Sequence, residues 1–317
     1  MLTRTATCRG LLAAAALLAL AATAACGNGA AGSPAADGKV AVVTAFYPLQ
    51  FVSERVGGDA VTVSNLTKPG AEPHDVELNP REVGDISTAG LVVYLKGFQP
   101  DVDEAVAQQA ADKAFDVSTL EPLLDAAADP HGHEGEQAGA GDPGASGKDP
   151  HVWLDPTRLA TIADRLAVRL GEVDTAHAAD YTARAAALRS DLEKLDAEYA
   201  KKLATCQRRE IVTSHSAFNY LARRYKLEQV GITGLSPEAE PSAQRLAAVA
   251  EEAREHGATT VFFETLVSPK IAETIAREVG AKTAVLDPLE GLAGSGGDYL
   301  SVMRTNLTAL TTALGCS

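Results

Sequence analysis

TAHAADYTARAAALRSDLEKLDAEYAKKL, residues 175–203, contains neither glycine nor proline and is dominated by alanine, leucine, lysine, arginine and acidic residues. Most of these side chains lose little freedom on entering a helix, so the run reads as one continuous helix. At 1.5 Å per residue it would span roughly 43 Å. It falls between two blocks of chain that each alternate strand and helix. It is therefore either a strut joining two lobes or a long surface helix of one of them. Its place between the blocks favours the strut.

The first block covers residues 39–173, the linker helix 174–204 and the second block 205–317. In the first, residues 40–44 and 61–63 are short β-rich runs and 47–56 has helical spacing. Asn79-Pro80 opens another helix, with proline suited to the first turn. Residues 91–95, Leu-Val-Val-Tyr-Leu, form a continuous apolar run, as expected of a strand covered on both faces. Residues 102–111 are helical. The second block repeats the rhythm, with strands at 210–213, 229–232, 260–264 and 283–286. Helices follow at 217–225, 242–256, 269–279 and 297–314. Such alternation predicts an α/β fold with parallel sheets and helices on both faces.

The chain has 317 residues, 46% hydrophobic, with a formal charge of -14. That balance supplies material for a sizeable core and argues against a nucleic-acid partner. Arg4 and Arg9 precede an apolar Leu/Ala stretch at residues 11–25, too short for a comfortable membrane span but matching a signal peptide, 1–25. Ala24-Ala25-Cys26-Gly27 resembles a bacterial lipobox, in which Cys26 would be lipidated. Ordinary secretory cleavage near Ala25 or Ala30 is the alternative. Residues 26–38 then form a small-residue tether.

Of four cysteines, Cys8 lies in the signal and Cys26 is the candidate anchor. Cys206 and Cys316 remain as an even pair, which in an oxidising compartment suggests a disulfide rather than two free thiols. A loop that long would contribute on the order of 4 kcal/mol. Residues 129–149 break the strand–helix pattern: they hold His131, His133, acids, Gly and Ala, and no larger apolar residue, so they read as a flexible loop. Its histidines are either auxiliary metal-collecting ligands or incidental.

Three histidines share a different setting. His74 stands in Pro69-Gly70-Ala71-Glu72-Pro73-His74-Asp75, His151 in Asp149-Pro150-His151-Val152-Trp153-Leu154-Asp155-Pro156, and His215 directly after the strand 210–213. Asp287 ends the strand 283–286. Ligands of open α/β sheets bind beyond the carboxyl ends of the strands. Three imidazoles and one carboxylate there make a sensible shell for a divalent transition metal. Each histidine alone would more often be a satisfied core residue.

With Thr213-Ser214-His215-Ser216-Ala217-Phe218-Asn219-Tyr220-Leu221 and Val285-Leu286-Asp287-Pro288-Leu289, these segments resemble the zinc/manganese solute-binding lipoproteins, the metal-binding subunits of bacterial ABC importers. The resemblance covers essentially the whole chain after the signal. It implies two Rossmann-like lobes bridged by one long rigid helix, with the metal between them. His74, His151, His215 and Asp287 fall on the family's ligand positions. It also implies a monomer, held to the outer face of the membrane by its lipid, that delivers metal to an ABC permease. Manganese-type members tend to carry Glu where His215 stands, and an imidazole-rich shell favours Zn2+ over Mn2+.

Two other classes compete. Three histidines with an open position also occur in zinc hydrolases. Glu264 or Glu72 could then act as a base, but Asp287 would close the fourth position and no HExxH element is present. A surface adhesin is the other class, and the sequence holds no adhesive module to support it.

Overall fold

The computed structural model describes residues 38–126, 147–291 and 297–317. Cys26, the signal segment and nearly all of the tether lie outside the described residues, as do His131 and His133.

Two four-stranded parallel sheets carry the fold. The first contains β1 (Val40–Thr44), β2 (Val61–Asn65), β3 (Leu91–Tyr94) and β4 (Ala114–Asp116), in the order β2-β1-β3-β4. The second contains β5 (Glu210–Thr213), β6 (Glu228–Gly231), β7 (Thr260–Phe263) and β8 (Lys282–Val285), in the order β6-β5-β7-β8. Pairing sets Val42 beside Leu91 in one sheet and Val212 beside Val261 in the other. Both orders reverse direction at the first strand. The crevice between β5 and β7 is therefore a switch point of the kind where ligands of open sheets bind.

The helices follow their start signals. α1 (Tyr47–Gly57), α2 (Pro80–Thr88), α3 (Pro100–Gln109) and α4 (Pro156–Val173) each carry proline in the first turn, where no backbone N–H is missed. Asn79 and Glu82 form a capping box at α2. In the second lobe lie α6 (Asn219–Tyr225), α7 (Ala243–Glu255), α8 (Lys270–Val279) and α9 (Tyr299–Leu314). β4 and α4 are absent from the pattern read off the sequence.

The long helix α5 (Ala178–Lys202) is preceded by one 3₁₀ turn at Thr175–His177. It buries Tyr181, Ala185, Leu188, Leu192, Leu195 and Tyr199, a stripe at three- and four-residue spacing. Its middle is held to the first lobe: Arg189 pairs with Asp164 of α4, and Asp191 with Arg55 of α1 at 2.9 Å. Its last turns are held to the second. Asp196 pairs with Arg224 at 2.7 Å, Glu198 with Arg304 at 2.9 Å, and the Tyr199 hydroxyl donates to the Met303 carbonyl at 2.6 Å. The helix thus bridges the lobes.

One hydrophobic core runs through both lobes and α5, joining Phe46, Trp153, Leu188, Phe218 and Tyr299. A smaller one lies in the second lobe, under α7 and α8. A disulfide joins Cys206 to Cys316, and closing so long a loop is worth about 4–5 kcal/mol in the loop-entropy model. Among the described residues no helix is long and apolar enough to cross a membrane.

Candidate metal centre

Four side chains from four separate segments meet between the lobes. His74, His151, His215 and Glu290 each present one ligand-type atom, and these atoms lie within 4.8 Å of one another. Glu290 Oε1 is the hub, at 2.9 Å from His151 Nε2, 3.2 Å from His215 Nε2 and 3.4 Å from His74 Nε2. His151 and His215 bring their Nε2 atoms to 3.4 Å.

Each of these side chains is aimed by its own segment. His74 sits in the loop between β2 and α2. Gln99 donates to the Pro73 carbonyl at 3.0 Å, and the Phe98 ring meets the His74 ring edge-on. His151 precedes a single 3₁₀ turn, Val152–Leu154, and its Nδ1 lies 2.8 Å from Asp149 Oδ1. Tyr220 fixes that loop from the other lobe, donating to the Asp149 carbonyl at 2.9 Å and accepting from Leu124 N at 2.8 Å. His215 turns out of the end of β5, and its Nδ1 lies 2.6 Å from Glu264 Oε1, which stands directly after β7. A side chain at Gly231 would run into Ser216 Oγ and the Thr233 carbonyl, so the chain beside His215 packs closely only with glycine there.

A carboxylate only accepts hydrogen bonds, so Asp149 and Glu264 keep the Nδ1 hydrogens in place. Nε2 of each ring is then directed into the cluster, the arrangement common to metal-binding histidines. His151 and His215 are fully buried, and burial alone would depress their basicity. For His151 the Asp149 and Glu290 carboxylates outweigh burial and raise it; for His215, Glu264 and Glu290 raise it well above the usual range. His74, with weaker support, is lowered by burial. Burial would raise Glu290, but the three imidazoles hold it well below the usual carboxylate range. Burial and the nearby Glu290 charge push Glu72 up to about 8.

The second oxygen of Glu290 is buried without a hydrogen-bond partner. Three imidazole nitrogens, one carboxylate and a spare buried carboxylate oxygen fit a divalent transition-metal ion.

The three histidines marked in the sequence therefore come together, and Asp287 does not join them. The carboxylate in the cluster is Glu290, three residues on. Asp287 is engaged in its own loop: Oδ1 accepts from Leu289 N at 2.8 Å and Oδ2 from the Thr265 hydroxyl at 3.1 Å. Leu289, at φ 60°, turns the chain between them. Aspartate before proline, with a backbone donor two residues later, is a turn-forming pattern.

The family model described as zinc-uptake complex component A, periplasmic, matches residues 42–313. A zinc-binding protein AdcA of Streptococcus pyogenes is 35% identical over 288 residues, covering 87% of the chain. The chain spans only 56% of that relative's length. The high-affinity zinc uptake system protein ZnuA of Bacillus subtilis is 34% identical over 301 residues, covering 92% of the chain and 93% of the relative. Among solved structures, the Zn(II)-bound ZnuA-like domain of Streptococcus pneumoniae AdcA superposes with TM-score 0.72 at 34% identity, covering 87% of the chain and 99% of that domain.

Proposed function

Because the chain belongs to the periplasmic zinc-uptake component A family, we propose that it is an extracytoplasmic receptor that captures Zn2+ and delivers it to a membrane ABC permease. His74, His151, His215 and Glu290 are the proposed ligands. The observation that carries the reading is their convergence: three imidazole Nε2 atoms face one carboxylate oxygen, in a site where both Nδ1 positions of the buried pair are already taken.

Imidazole-rich coordination favours zinc over manganese. Four protein ligands also suit capture better than catalysis, since a catalytic zinc keeps a position for water. Cys26 is the proposed lipid anchor, which would hold the receptor, as a monomer, at the outer face of the membrane. His131 and His133 would be auxiliary metal-collecting residues. The bridging helix α5 and the shared core argue against wide parting of the lobes, so release needs only movement of the ligand loops.

The test is metal content after purification without added metal, followed by competition among Zn2+, Mn2+ and Cu2+. One tightly held zinc per chain, lost in His215→Ala, is the expected result. Preferential retention of manganese would overturn the choice of cargo. Zinc-dependent hydrolysis of ester, peptide or phosphoester substrates that disappears in His215→Ala would overturn the receptor itself.

A further inference from the structure

A second group of metal-type ligands lies at the opposite end of the C-terminal sheet. Glu210 opens β5, Glu228 opens β6, and the parallel register sets the two side by side. His256 caps the end of α7. One carboxylate oxygen from each glutamate and one imidazole nitrogen lie within 4.8 Å of one another. His256 Nδ1 stands 3.2 Å from Glu210 Oε2.

The other Glu210 oxygen, Oε1, is buried with no hydrogen-bond partner, on a side chain only 4% exposed. A buried carboxylate oxygen without a donor is costly, and a cation would remove that cost. The surroundings point the same way. The groups acting most on Glu210 are one imidazole, His256, against three carboxylates, Glu252, Glu228 and Glu255. The C-terminal end of α7 adds the negative pole of its dipole. One nitrogen and two carboxylate donors suit a borderline divalent metal such as zinc or copper, whereas calcium and magnesium favour shells of oxygen.

We propose that Glu210, Glu228 and His256 form a second divalent transition-metal site at the base of the C-terminal lobe. It is separate from the cleft: β5 runs from Glu210 to the turn bearing His215, roughly 16 Å at 3.3 Å per residue. The His256 side chain is 47% exposed, so this site binds more weakly and exchanges faster than the cleft.

The experiment is a Zn2+ titration of the metal-free full chain. It uses a His131→Ala/His133→Ala background, so that those side chains contribute nothing. One tight equivalent followed by one weaker equivalent is expected. His256→Ala and Glu228→Gln, both at exposed positions, should each weaken the second equivalent at least tenfold and leave the first unchanged. Co2+ added beyond the first equivalent should broaden the ring resonances of His256 in ¹⁵N-histidine-labelled protein. A second equivalent that survives His256→Ala overturns the site. So does the absence of any second equivalent at hundred-micromolar zinc.

Discussion

Trp153 donates its indole N–H to the carbonyl of Pro288 at 2.7 Å, and the bond crosses from one lobe to the other. Trp153 is two residues from His151, and Pro288 is two residues from Glu290. One buried hydrogen bond therefore ties the segments that bear one clustered side chain from each lobe. The tie is reinforced by Tyr299, whose hydroxyl donates to the Trp153 carbonyl at 2.6 Å.

Trp153 is the only tryptophan of the chain, and its ring centroid is 5.2 Å from that of His151. A metal replacing a proton on His151 changes the field at the indole. Zinc should therefore alter the intrinsic emission of the protein with one-to-one stoichiometry, and Trp153→Phe should abolish the signal. Trp153→Phe leaves a buried carbonyl unpaired and should cost about 1–3 kcal/mol of stability. An emission spectrum unmoved by saturating zinc would show that the metal does not reach His151.

The two candidate carboxylates make opposite predictions. Glu290→Gln removes the charge at the hub and should weaken zinc binding by at least about 100-fold, beyond the 10- to 100-fold typical of losing an outer partner. Asp287→Asn keeps an acceptor for Leu289 N, lies outside the cluster, and should change affinity only a few-fold. Competition against a chelator of known affinity measures both. The reverse ordering would return the fourth position to Asp287.

Burial and neighbouring carboxylates raise Glu210 from its ordinary 4.5 to about 7. Its folded-state value therefore exceeds the unfolded one. The stability it confers is complete below pH 4.5 and is lost as pH rises through about 7. In chelator-treated protein, Glu210→Gln should gain on the native chain in urea midpoint across that window. Parallel midpoint profiles would remove the effect.

Much of the architecture was legible because its causes are local. The run Leu91–Tyr94 is apolar throughout because a parallel strand is covered on both faces. The start of α2 is written in Asn79-Pro80. β4 has three residues, too few to show a period. α4 does have an apolar face, but it follows a histidine motif whose chemistry dominates the reading of that stretch. The histidines were legible because each stands in a loop beside a recognisable strand or motif. Glu290 was not, because its position depends on the turn at Leu289 and on Asp287 being used up by Leu289 N and Thr265. Both are properties of the folded loop, and spacing along the chain does not encode them.

The clustered side chains of the cleft lie far apart in sequence, His151 and His215 by 64 residues and His215 and Glu290 by 75. Neither lobe alone carries more than two of the four side chains. On the proposed function, tight zinc retention would be a property of the finished molecule, and a half-made or clipped chain would have no means of holding the ion. Occupancy becomes a certificate of integrity: at a thousandfold excess over the dissociation constant, zinc would deepen the native state by about 4 kcal/mol, and only for chains whose two lobes are both intact.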